Sequence, residues 1–175
     1  MRTWRAGLVG IGIAVTAGLL ASSCTDDDKG GGLVEGDGYR GVRLNAHLDY
    51  LQPDDGPGID HGVDSFVPSE DDVSRFEEQV PQALETAGNP SGDDDVTAAE
   101  LRTYFRQYTG VEATDSAGDH HRHLVVQGVC AAAKDDGTDW ERGWVEVADG
   151  GTCFWDATFD LRSGNVIRFG FHGSA

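Results

Sequence analysis

The sequence predicts an α+β domain: two helices packed on an antiparallel sheet of about four strands, stapled by one disulfide. Three observations lead there. Apolar residues recur at helical spacing between 69 and 110 and switch to strict alternation after Gly118. The alternating segments are joined by short turn sequences, "DDGTD", "DGG" and "RSGN". Helices followed by a run of hairpin-linked strands gather the helices on one sheet face. Two cysteines, Cys130 and Cys153, fall on the apolar sides of their segments.

Each element has its own signal. Val42 to Tyr50 alternates apolar and polar residues, which argues a strand, while Leu44, Leu48 and Leu51 equally fit a helical stripe; both readings stay open. Gln52 to Asp64 is turn-rich and predicts a loop. Ser69 can cap a helix whose first turn, Glu70-Asp71-Asp72, complements the positive end of the dipole. Val73, Phe76, Val80 and Leu84 form its stripe, and Pro81 should kink it or restart it near Gln79. After the break at Gly88 to Asp95, Thr97 and Glu100 make a capping box. Leu101, Tyr104, Phe105 and Tyr108 then predict the buried stripe of a second helix ending at Gly110.

The strand half begins at Arg122–Ala132, with Leu124, Val126 and Cys130 on one face. Gly143–Ala148 is expected as a short strand bearing Val145 and Val147. Cys153–Leu161 places Cys153, Trp155, Ala157, Phe159 and Leu161 together, and Val166–His172 turns Ile167, Phe169 and Phe171 inward. A Cys130–Cys153 bond would close a loop of about two dozen residues and contribute roughly 3 kcal/mol.

The N-terminus reads differently. Arg2 and Arg5 precede the uncharged Leu8–Leu20, whose helix would span only ~20 Å, short of a ~30 Å bilayer core. Ala21-Ser22-Ser23 supplies the small residues of a cleavage site, so residues 1–23 are expected to be a secretory signal. Thr25 to Gly38 is acidic and glycine-rich, and residues 24–38 are expected to form a disordered tether. Residues 39–175 suffice for one domain and not for two of ordinary size.

The segment "LASSC", Leu20 to Cys24, resembles the lipobox of bacterial lipoproteins, with Ala21 where that family prefers leucine. The resemblance implies that Cys24 is lipidated and becomes the first mature residue. It implies attachment to the cell membrane on its extracytoplasmic face. An ordinary secretory signal cut near Ala21 to Ser23 is the alternative. Lipid on Cys24 leaves Cys130 and Cys153 as an even pair, which in an oxidising compartment reads as a disulfide. Tyr104–Gly110, "YFRQYTG", together with the closing run "DGGTCFWDATFDLRSGNVIRFGFHGSA", is similar to C-terminal segments of small uncharacterised bacterial secreted proteins and lipoproteins; that likeness implies no activity.

Charge bounds the partners. The chain holds 31 acidic against 13 Lys and Arg residues, a formal charge of −18, and loss of residues 1–23 makes it two units more negative. Such a chain repels nucleic acid and anionic lipid and favours a cationic protein or ligand, or a divalent cation.

Chemistry-bearing patterns are few. His121 and His123, within Asp119-His120-His121-Arg122-His123, would share a strand face at a spacing that suits a metal ion. A zinc site needs a third or fourth ligand, which His47, His61 or His172 would have to bring from distant segments. The runs at Asp54-Asp55, Asp93-Asp94-Asp95 and Asp135-Asp136 lack the ligand spacing of an EF-hand. No G-x-S-x-G or H-E-x-x-H sequence occurs. Tyr104, Arg106 and Tyr108 could line a cleft, though core packing and a surface salt bridge explain them as well. The expectation is therefore a membrane-anchored, non-catalytic binding module without a cofactor, the alternative being a metal- or divalent-cation-binding lipoprotein.

Overall fold

A computed structural model describes residues 30–46, 48, 64–87, 96–114, 119–134, 137–147 and 149–173. Cys24, His47, His61 and the three aspartate runs lie outside the described residues.

The chain is α+β, with a mostly antiparallel sheet of seven strands and four short helices among the described residues. The expected four strands and two helices are thus too few. In chain order the elements are β1 (Gly30–Gly36), β2 (Tyr39–Leu44), β3 (Asp64–Phe66), α1 (Glu70–Glu77), α2 (Val80–Ala87), α3 (Ala98–Leu101), β4 (Phe105–Thr114), β5 (His120–Val129), α4 (Ala131–Lys134), β6 (Phe154–Asp160) and β7 (Asn165–Phe171). The sheet runs β1-β2-β4-β5-β6-β7, and β3 pairs with the far half of β4. The β2–β4 pair is parallel; every other pair is antiparallel.

β1 falls inside the stretch expected to be a disordered tether. The residues Asp37-Gly38 close a two-residue hairpin, with Gly38 at φ +84° and Gly36 opposite Tyr39. Val34 reaches the core at 6% exposure. Gly30–Gly36 thus belongs to the sheet, ahead of the expected start at Tyr39. Residues 42–44 resolve as strand, and Val42, Leu44, Ala46 and Leu48 are all buried.

The two helix starts are as expected. Ser69 accepts from the Asp72 N–H, Thr97 accepts from the Glu100 N–H, and both capping boxes are complete. The helical run breaks at Glu78-Gln79 and restarts as α2 with Pro81 in its first turn, where a missing N–H costs nothing. Val73, Phe76, Val80 and Leu84 are buried.

The second helix is not as expected. α3 stops at Leu101, and Phe105–Thr114 is the central strand. Leu101, Tyr104 and Tyr108 do join one core, but Phe105 packs into the other, on the opposite sheet face. A period of two explains that split and a helix does not.

Two more expectations fail locally. Residues 144–147 join no strand pairing among the described residues. The side chain of Gln107 stands in for a strand partner: its Oε1 accepts from the Val145 N–H at 3.0 Å, and its Nε2 donates to the Trp140 and Gly143 carbonyls at 2.8 and 2.7 Å. Ile167, expected inward, is 50% exposed. A β-bulge pairs Thr158 with Arg168 and Phe159 with Val166, leaving Ile167 unopposed and turned outward.

Two cores result. Helices α1 to α3 cover one sheet face through Val73, Phe76, Leu84 and Leu101 against Tyr108, Leu124, Trp155 and Phe159. The other face, with Phe105, Val111, Val125 and Val129, is covered by Trp140, Trp144, Val145 and Val147. Gly128 has no Cβ because the indole of Trp155 occupies that place.

Candidate functional site

The predicted pair Cys130–Cys153 is a disulfide, with Cα atoms 4.9 Å apart and 23 positions of sequence between them. It joins the end of β5 to the turn before β6, where the Cys130 N–H also donates to the Cys153 carbonyl.

His121 and His123 share a sheet face, as the alternation of β5 requires. Their rings stack with centroids 6.2 Å apart. His123 is buried, its Nδ1 has no hydrogen-bond partner, and burial holds its pKa below the ordinary histidine value. Asp160, opposite it in register, works against that shift, and His121 adds to it. His120 and Arg122 face the other way, toward Glu112, with Arg122 also over the Phe66 ring. So alternation divides the cluster between two faces.

The structure does not bring His172 to this pair. His172 sits opposite Phe154, six positions along β6 from Asp160, or about 20 Å at strand rise. There it approaches Asp156 at 3.5 Å. No group of three or more metal-ligating side chains forms among the described residues.

A second set of buried ionisable groups lies under the helices. Arg106, 1% exposed, donates to the carbonyls of Tyr104 and Leu101 at 2.8 and 3.0 Å. Its Nε lies 2.9 Å from Glu77 Oε1, an ion pair rather than an aligned hydrogen bond. Tyr108 donates to that same carboxylate oxygen at 2.7 Å. Burial raises the Glu77 carboxyl, against the pull of Arg106 and Tyr108, and burial with the Glu77 charge raises the Tyr108 phenol well above its usual value. The salt bridge expected on the surface is thus buried. A cavity of about 40 Å³ adjoins it, bordered by Asp37, Gly38 and Arg102. The sequence reading did not single out Glu77; the signal that could have found it is an acid standing within the apolar stripe Val73, Phe76, Val80, Leu84.

Tyr104 turns away from this network and donates to the Thr152 carbonyl at 2.6 Å, tying β4 to the disulfide turn. Of the readings open for Tyr104, Arg106 and Tyr108, core packing is the one observed, with Arg106 also lining the small cavity.

A second opening lies elsewhere among the described residues. A groove of about 380 Å³ runs between α2 and β7, lined on one side by Gln79, Gln82 and Thr86 and on the other by Ile167, Arg168 and Phe169. β7 is the last strand of the sheet. The groove sets amide and hydroxyl groups of the helix side against Val166, Ile167 and Phe169 on the strand side, with Arg168 and Asn165 among them.

A scan against protein-family models finds no match, and searches of curated proteins and of solved structures return no similar chain.

Proposed function

We propose that this chain is a non-catalytic binding module held at the extracytoplasmic face of the cell membrane by lipid on Cys24, and that its partner is cationic. The disulfide carries the reading: with Cys130 and Cys153 joined, the one remaining thiol is the one within the lipobox-like segment. Stable disulfides belong to oxidising compartments. The buried Glu77, Arg106 and Tyr108 direct their bonds to one another and to backbone carbonyls, which supports a packing role for them. A formal charge of −18 supports a basic partner.

Mass spectrometry of the mature N-terminus tests the anchor: a diacylglyceryl-modified cysteine is expected, lost in Cys24→Ala. An unmodified protein in the medium, indifferent to that change, would overturn it. Cross-linking in intact cells tests the module, with a partner expected whose association slows as salt rises past the ~10 Å screening length at 0.1 M. Stoichiometric zinc in the purified chain, removed by His121→Ala with His123→Ala, would replace this reading with the metal-binding one.

A further inference from the structure

We propose that the outer edge of β7, together with the groove against α2, receives an extended segment of a basic partner protein as an eighth strand of the sheet. The proposal rests on the binding-module reading and names its surface.

Among the described residues the edge carries no further strand and is in the right state to pair. The His172 N–H donates inward to the Phe154 carbonyl at 3.0 Å. Antiparallel alternation then directs the backbone N–H and C=O groups of Phe169 and Phe171 outward. Sheets ordinarily guard such an edge with proline, a short strand, free charges or a bulge; the bulge of β7 lies at Val166–Arg168 and leaves Arg168 to Phe171 in regular register with β6. β7 is seven residues long and contains no proline. Its single charge, Arg168, lies 3.5 Å from Asp156 of its own sheet.

The groove supplies what alternate side chains of an added strand require. The bulge turns Ile167 outward at 50% exposure, beside Phe169, as an apolar floor. Gln79 and Gln82 stand opposite with donors and acceptors for an extended backbone. Its volume, about 380 Å³, falls in the range of ligand clefts, roughly 300–1,000 Å³. Strand addition to a sheet edge uses backbone bonds for affinity and such pockets for specificity.

Charge selects the occupant. A second copy of the chain would bring another −18 to the edge. Glu78, between α1 and α2, and Glu85 of α2 are exposed next in sequence to the groove-lining residues Gln79 and Thr86, while Arg168, the charged residue that lines the groove, is engaged by Asp156. A segment alternating apolar residues with Lys or Arg would seat the first in the groove and the second at this rim.

The test is selection from a displayed library of random dodecapeptides on the full chain, followed by fluorescence anisotropy of the synthesised winners. Enrichment of apolar/basic alternation without central proline is expected. Binding should fall at least tenfold in Ile167→Glu and in Gln82→Ala, each checked for an intact Cys130–Cys153 bond and unchanged circular dichroism. N-methylation of one alternating set of peptide amides should abolish binding, and methylation of the other set should leave it. Peptides that tolerate both sets, or that bind the variants equally, would overturn strand addition while leaving the module reading in place. Failure to enrich any peptide would overturn it too, the cross-linked cellular partner remaining the separate measure of that reading. Dimers of the chain alone that Ile167→Glu dissociates would overturn the choice of a basic partner.

Discussion

Arg106 Nε lies 2.9 Å from Glu77 Oε1, with side chains 1% and 7% exposed, and so one buried charge answers another between β4 and α1. Breaking such a pair from one side strands the other charge. Glu77→Ala should therefore cost about 3–5 kcal/mol, read as a shift in the urea midpoint at constant slope. Adding Arg106→Met should not restore stability, because the carbonyls of Leu101 and Tyr104 then lose their donors.

His123 gives the fold a pH dependence of fixed sign. Burial lowers its pKa in the folded state, so the unfolded chain takes up the proton more readily. Stability is complete above the ordinary histidine pKa of about 6.5 and declines as pH falls through the lower folded value. Urea titrations at pH 7.5 and 5.5 should show a larger loss in the parent chain than in His123→Leu. An equal loss in both would show that His123 is not the group responsible.

Gln107 holds the cover of the second core with three hydrogen bonds. Gln107→Leu keeps the volume and leaves two carbonyls and one N–H without their partner. A loss of about 2–4 kcal/mol is expected, from roughly 1 kcal/mol per bond plus the groups left unpaired. Hydrogen exchange should quicken first at Val145 and its neighbours, ahead of β4 and β5.

Removing the disulfide with Cys130→Ala and Cys153→Ala should lower stability by about 3 kcal/mol, the chain-entropy value for a loop of this size. Peptide mapping without reductant should recover the two half-cystines in one fragment.

Where one face of an element is polar, its pattern was legible. Ser69 and Thr97 announced their helices, and Trp155, Ala157 and Phe159 announced β6. β4 was hidden because it is buried on both faces, so Phe105 to Val111 shows no alternation, and its aromatics also fit a helical stripe. β1 was obscured by its glycines, although Asp37-Gly38 between Val34 and Val42 is a hairpin signal. The position of Ile167 depends on a bulge, which shifts register without leaving a mark in composition. Of the site, the disulfide and the shared face of His121 and His123 could be read from spacing. The α2–β7 groove could not, since it arises from two elements about eighty positions apart.

The parallel pairing of β2 with β4 sets a timetable for folding. A chain emerging N-terminus first releases the β1–β2 hairpin long before its partner strand exists: 63 positions separate Ala46 from Thr109, which bind each other across that seam. β4 to β7, by contrast, are successive antiparallel neighbours and can assemble from near contacts. The C-terminal meander is thus the natural nucleus, and the hairpin is a latecomer that must wait unpaired. Its three leading glycines, with Arg40 and Arg43 in β2, make that waiting strand a poor template for aggregation. The glycines that made the segment look like a loose tether thus help keep it harmless until the sheet is ready to receive it.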